Sequence, residues 1–407
     1  MSHLPPPTRE GRFLALLAAL AAFGPLSIDL YLPALPTIAA GLATTAERVQ
    51  LSVTVFLAGF AVGMLFYGPL SDRYGRRAVM LGGTALFVVA SVACMAADSV
   101  DHLILARFFQ AIGGGAASIL SRAVVRDVYA TTEAIRKLSL MAMVTAMAPL
   151  LAPLAGSVIL GIFGWRGTFA ALVLWGILSL AMVWFGLPET LPPEKRGGLT
   201  MGRAFAAYGA MLGHGEALGL LLAGGMSFAA MFAYITASPH YFIDRQGFSP
   251  LAYGCVFAAN AFGIFLANYV NSRAVRRAGP VKMLALGCLV GFAGSLLLLF
   301  SLSQPQSLVP GVIAGLFVVV SMTGLLGANC VGLLMTRYPQ NAGAAAALFG
   351  ATQFGLGMIA SAAVSALHDG AGRSMGWVIT AACALAIAGA YGVWRAERHR
   401  AAAGDVA

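Results

Sequence analysis

Gly68-Pro69-Leu70-Ser71-Asp72-Arg73-Tyr74-Gly75-Arg76-Arg77 places one acid and three bases in ten residues, between apolar runs at about 46–68 and 78–97. Gly75 permits a tight turn, and Asp72 can neutralise the bases beside it. The stretch reads as a short polar loop joining two helices at the face of a membrane. Working outward from it, runs of the ~20 apolar residues that a ~30 Å hydrocarbon core requires recur along the whole chain. There are twelve, at about 13–36, 46–68, 78–97, 102–125, 138–162, 166–187, 217–239, 250–271, 281–302, 307–334, 342–366 and 375–394. Composition agrees: of 407 residues 59% are hydrophobic and only 10% charged, where a soluble chain is about a quarter charged. The expectation is an all-α membrane protein with twelve transmembrane helices.

An even number of spans puts both termini on one side. Assigning the loops alternately, 19 of the 25 basic residues fall on the side of the termini, four on the opposite side (Arg48, Arg166, Arg245, Arg373), and Arg107 and Arg122 within the fourth span. Basic residues mark the cytoplasmic face, so both termini are expected there, in a multi-pass membrane protein. The net charge of +10 is then a topology signal embedded in a lipid bilayer, with no nucleic-acid partner implied. The five cysteines lie far apart in apolar runs and read as small core residues, with neither a disulfide framework nor a metal site.

The longest polar interruption, from Pro188 to about Glu216, divides the spans six and six. A basic cluster from Arg273 to Arg277 followed by Gly279 comes after the eighth span, as Arg73–Arg77 comes after the second. Both features predict two pseudo-symmetric six-helix bundles, an architecture of carriers built by duplication. The expected organisation is an N-terminal bundle over 1–190, a cytoplasmic linker over 191–215 and a C-terminal bundle with a short tail over 216–407. Within the fifth span, Pro149, Pro153 and Gly156 are the expected hinge, since Pro kinks are tolerated where neighbouring helices satisfy the freed carbonyl.

The titratable inventory of the membrane interior is short. Asp29, in Ser27-Ile28-Asp29-Leu30-Tyr31-Leu32-Pro33, is the one carboxylate inside a predicted span, and all six histidines fall in loops or termini. An acid at that depth costs roughly 2.5 to 10 or more kcal/mol, so it needs a partner or a task. Arg107 and Arg122 do not release a proton at accessible pH, which leaves Asp29 as the candidate proton site. At ~1.5 Å per residue, Asp29 is ~24 Å from the cytoplasmic start of its span and Arg107 ~8 Å from the outer start of its own. Their depths match, making Arg107 the candidate coupling partner; depth leaves open whether they face each other. No P-loop pattern (G-x-x-x-x-G-K-[ST]) is present, so transport must be passive or driven by an ion gradient, with no cofactor. Tyr31, Phe232, Tyr234, Asn260 and Gln353, with Arg122, are the candidate substrate contacts, because a mostly apolar cavity with few fixed polar groups suits lipophilic molecules. A membrane-embedded enzyme would need clustered His, Ser or acid groups at midplane, and one acid with no histidine argues against it.

The pattern G-x-x-x-D-R-x-G-R-R over Gly68, Asp72, Arg73, Gly75, Arg76 and Arg77 resembles the signature loop of the major facilitator superfamily. Arg107-Phe108-Phe109-Gln110-Ala111-Ile112-Gly113 resembles its fourth-span motif, and Ala148-Pro149-Leu150-Leu151-Ala152-Pro153-Leu154-Ala155-Gly156 the fifth-span motif of its antiporters. With Asp29 to Pro33, Arg122 to Tyr129 and Ser238-Pro239, the chain is similar to the bicyclomycin and chloramphenicol resistance (Bcr/CflA) branch of twelve-span drug:proton antiporters. The resemblance implies a monomeric exporter of lipophilic antibiotics, powered by protons through alternating access, with Asp127 pairing to the signature loop. A proton-coupled carrier of an endogenous metabolite on the same fold is the alternative. The sequence departs from the pattern where the second loop carries Asn271 and Arg273 but no acid, and where Ala21 stands at the place of a second first-span acid in some related exporters.

Overall fold

The computed structural model describes residues 10–129, 131–192, 194, 196, 201–304, 308–367 and 372–402; part of the expected linker lies outside them. Among the described residues the regular structure is helical. Ten helices are long and apolar enough to cross a membrane, and a bent pair, Glu10–Ala21 with Phe23–Gly41, makes an eleventh span. The stretch Met147–Gly186 counts once among the ten, yet it contains a break at Gly164 (φ 68°, ψ −175°). It therefore supplies the fifth and sixth spans, bringing the total to the twelve expected. The others are Ala46–Tyr74, Arg76–Met95 and Val100–Val128 as second to fourth. Gly215–Pro239, Pro250–Ala278, Pro280–Ser303, Val309–Arg337, Ala342–Ala366 and Arg373–Ala402 are seventh to twelfth.

The helices form two compact units. One comprises the chain through Ala204 with Phe248–Ala258, the other Phe205–Gly247 with Ala259 onward. In the first unit the second and third spans both pack along the fourth, and the third meets the sixth, where Gly176 lies against Val88 and Phe87. In the second unit the ninth and tenth spans pair, while the seventh lies against the tenth, eleventh and twelfth. The duplication is legible in backbone conformation. Gly75 opens the third span at φ 94°, ψ 152°, and Gly279 opens the ninth at φ 83°, ψ 153°. A side chain is strained at such a positive φ, so the same turn uses the same residue in each half.

Two elements differ from the sequence reading. A twelve-residue helix, Met201–Leu212, occupies the part of the chain expected as plain linker. The first span, expected as one helix, is broken: Glu10–Ala21 and Phe23–Asp29 are followed by a 3-10 turn Leu32–Ala34 and the helix Leu35–Gly41, bent by 46° overall. Its prolines account for the break. Pro25 has no N–H and displaces the carbonyl four residues back, and the Ser118 hydroxyl donates to that Ala21 carbonyl at 2.8 Å. Pro33 likewise stops the helix that ends at Asp29. In the fifth span, by contrast, the helix runs on through Pro149, Pro153 and Gly156, and the non-helical residue is Gly164.

Candidate functional site

The broken first span sets the geometry around Asp29. A half-helix ending inside a membrane leaves backbone carbonyls unpaired at the negative end of its dipole. Arg107 answers this. Its guanidinium donates to the Ser27 carbonyl at 2.9 Å and to Gln110 Oε1, and Gln110 in turn donates to Ser91 Oγ at 2.7 Å. The same guanidinium lies 4.2 Å from the ring centre of Tyr31 and 4.2 Å from that of Phe56, a sandwich worth ~2 kcal/mol or more when desolvated. The Tyr31 hydroxyl is bonded to Ser52 Oγ at 3.1 Å. Arg107 is fully buried, and its Nε and Nη2 have no hydrogen-bond partner among the described residues.

Asp29 takes no part in this cage. It is buried, 4% exposed, and carries no hydrogen bond or ion pair to any described residue. Helical geometry gives the reason. Ser27 and Tyr31 are four residues apart and share a face, while Asp29 is turned from Ser27 by about 200°. Similar depth thus brings Asp29 and Arg107 to the same level but onto different sides of the first span. The fifth span closes in from another direction: a Cβ placed on Gly156 would lie 1.9 Å from the Leu30 carbonyl oxygen. No side chain larger than hydrogen fits there, so Gly156 allows close approach to the break beside Asp29.

The signature loop is an ion-pair cluster. Arg76 pairs with Asp72 at 2.6 Å and, through Nε, with Asp127 at 2.9 Å, and also donates to Ser71 Oγ. Glu189, which follows the sixth span, accepts the backbone N–H of Arg76 at 2.9 Å and of Arg77 at 3.3 Å. It thereby satisfies orphan donors at the start of the third span. Arg77 donates to the Trp184 carbonyl at 2.8 Å, and Arg73 lies over the Tyr74 ring. A Cβ on Gly75 would meet Glu189 Oε2 at 2.2 Å, and the glycine at this position accommodates both the turn and its cap. Gly68 has open space around it.

The substrate candidates separate by unit. In the first, Tyr31 is enclosed and braces Arg107, whereas Arg122 is exposed. In the second, Phe232, Tyr234 and Asn260 are buried. Both amide atoms of Asn260 lack a hydrogen-bond partner among the described residues. Phe232 belongs to an aromatic cluster with Phe228 at 4.9 Å and Phe354 at 6.2 Å between ring centres, next to half-buried Gln353.

Sequence reasoning missed Gln110, Phe56, Phe228, Phe354 and Glu189. Gln110 was findable, one helical turn from Arg107. Glu189 stands out as an acid directly after the sixth span, at the face where the basic signature loop lies. Phe56 carries no signal, because an aromatic residue in an apolar run is indistinguishable from its neighbours until the chain folds.

A family model described as Major Facilitator Superfamily matches residues 14–362. The chain is 32% identical over 363 residues to the uncharacterized MFS-type transporter YdgK of Bacillus subtilis, covering 89% of this chain and 90% of the relative. It is 30% identical over 355 residues to a bicyclomycin resistance protein homolog of Haemophilus influenzae, covering 87% and 89%. With a chloramphenicol resistance protein of Pseudomonas aeruginosa it shares 33% identity over 307 residues, 75% of this chain and 72% of the relative. A solved peptide transporter in complex with sulfate superposes with a TM-score of 0.76 at 15% identity, over 96% of each chain, which shows the shared fold. The chain belongs to the Major Facilitator Superfamily and is a transporter, not an enzyme.

Proposed function

We propose that this transporter exports lipophilic antibiotics of the chloramphenicol and bicyclomycin type in exchange for protons, by alternating access between its two halves, as a monomer in a bacterial inner membrane with both termini in the cytoplasm. The carrying observation is Asp29: an acid enclosed in a span, beside a helix break, with no cation paired to it among the described residues. Such a group binds and gives up a proton when its access to water changes sides, which is what an ion-driven carrier needs. Arg107 acts in support, holding the Ser27 end of the half-helix so that Asp29 stays in place. Close approach of Gly156 to Leu30 makes the fifth span the element whose movement reaches Asp29, and Pro149, Pro153 and Gly156 form the hinge. The resistance proteins among its relatives support the substrate class, and the Phe228–Phe232–Phe354 cluster with Gln353 offers the aromatic wall that such compounds favour.

Proteoliposomes carrying a pH-sensitive dye test this reading. Adding chloramphenicol-type compounds should release protons from wild-type protein, and expression in an efflux-deficient host should raise resistance in a way an uncoupler abolishes. Proton uptake along with an added metabolite, or resistance that persists with the uncoupler, would replace this reading with the metabolite carrier on the same fold.

A further inference from the structure

The third and fourth spans touch near Gly113, where a Cβ would lie 2.4 Å from the Phe87 backbone nitrogen. Between them is a groove of about 490 Å3, within the ~300–1,000 Å3 of small-molecule sites. Small side chains make the space: Ala90 and Ala93 lie on one face of the third span and Ala97 just past its end, with Ala106 and Phe109 opposite on the fourth. The flanking Val89 and Leu105 are 66% and 59% exposed, so the groove opens on the surface that meets hydrocarbon. From Leu86 to the end of the third span at Met95 it runs ~14 Å at ~1.5 Å per residue, about half of a ~30 Å core. That is the depth of one leaflet.

The loop end of the groove is polar and carries both signs of charge. His102 lines it, and Arg166 donates to the Ala97 carbonyl at 3.1 Å while staying half exposed. Asp98, 3.9 Å from Arg166, is 89% exposed in its side chain; the neighbouring Asp101 is already held by Arg48 at 2.6 Å. An apolar channel about one leaflet deep, with a half-exposed cation at its mouth that stacks on Trp165 and pairs at long range with an exposed carboxylate, matches a molecule with a chain at one end and a phosphate plus an ammonium at the other.

We propose that this groove is a binding site for a phospholipid with an ammonium headgroup, from the leaflet opposite the signature loop. One acyl chain lies between the third and fourth spans, the phosphate meets Arg166 and the ammonium meets Asp98. A drug-like molecule or a second copy of the chain would use the apolar wall but not the paired charges.

The test is native mass spectrometry of the full-length protein, exchanged in turn into phosphatidylethanolamine, phosphatidylglycerol and uncharged diacylglycerol. Wild-type protein should retain one phosphatidylethanolamine per chain in preference to the other two. Ala93→Phe, which fills the groove from an exposed position, should lower that retention at least tenfold. Arg166→Gln should lower it about fivefold, the weight of one basic residue on a lipid phosphate, and Asp98→Asn should erase the preference over phosphatidylglycerol. As a check that does not depend on the filled variant folding, tryptophan at Phe109→Trp should be quenched by brominated acyl chains. Equal retention by wild type and a folded Ala93→Phe protein, retention of diacylglycerol as strong as that of phosphatidylethanolamine, or an unquenched reporter would each overturn the assignment.

Discussion

Arg107 holds a permanent charge in surroundings from which water is excluded, a situation that costs several kcal/mol unless other groups answer it. Here the answer is a carbonyl at a helix end, an amide and two aromatic faces. The acid at the same depth has no cation paired to it among the described residues, the condition the proposed proton cycle requires. Asp29→Asn should insert and fold normally yet show no drug-evoked proton release in proteoliposomes; full release from that variant would remove Asp29 from the mechanism. Around Arg107 the planar shape matters as much as the charge, so Arg107→Lys is not a conservative change. It should abolish most transport and lower the thermal midpoint. Tyr31→Phe keeps the ring and loses only the bond to Ser52, costing about 0.5–1.5 kcal/mol, and should transport at close to the normal rate. A Tyr31→Phe variant as inactive as Arg107→Lys would show that the hydroxyl, not the ring, is what the site needs.

At the scale of the element, the break in the first span and the fifth span are one device. Two prolines, Pro25 and Pro33, break the helix, a serine and an arginine from the fourth span take the freed carbonyls, and Gly156 brings the fifth span onto Leu30. Adding one methyl group there forces backbone apart, and overpacking of that kind costs about 1–3 kcal/mol. Gly156→Ala should therefore lower the thermal midpoint and slow transport together, while Ala155→Gly beside it should leave both nearly unchanged; normal transport by Gly156→Ala would separate the contact from function. The start of the third span makes a similar case. Glu189→Gln keeps the shape of the cap but removes its charge, and should destabilise by about 0.5–2 kcal/mol, read as a shift in thermal midpoint.

At the scale of the whole molecule, the two units repeat a plan but not its chemistry. In the first, Asp72, Asp127 and Glu189 gather on the loop that Gly75 opens. In the second, the loop that Gly279 opens has no acid, and a different carboxylate ties the helix ends together: Glu216, at the start of the seventh span, accepts Arg337 at 3.2 Å and also Arg400. An acid-bearing cluster at the Gly75 loop, with no acid at the Gly279 loop, should govern the rate of the cycle more than ligand affinity. Asp72→Ala is expected to lower the maximal transport rate several-fold with equilibrium drug binding unchanged, measured by uptake kinetics and by ligand-induced thermal shift; weakened binding at an unchanged rate would contradict it.

The number of spans, the duplicated turn at Gly75 and Gly279, and the isolation of one acid among apolar residues were all determined by the sequence by itself. These features are local, because hydropathy, turn chemistry and charge spacing act over a few residues. The partners of those residues were decided only in the tertiary structure. Ser27 and Arg107 are 80 positions apart, and Gly156 lies far from Leu30 along the chain. A rotation of about 200° along one short helix, set by where its prolines break it, decides that Arg107 meets a carbonyl and two rings and that Asp29 meets no cation among the described residues.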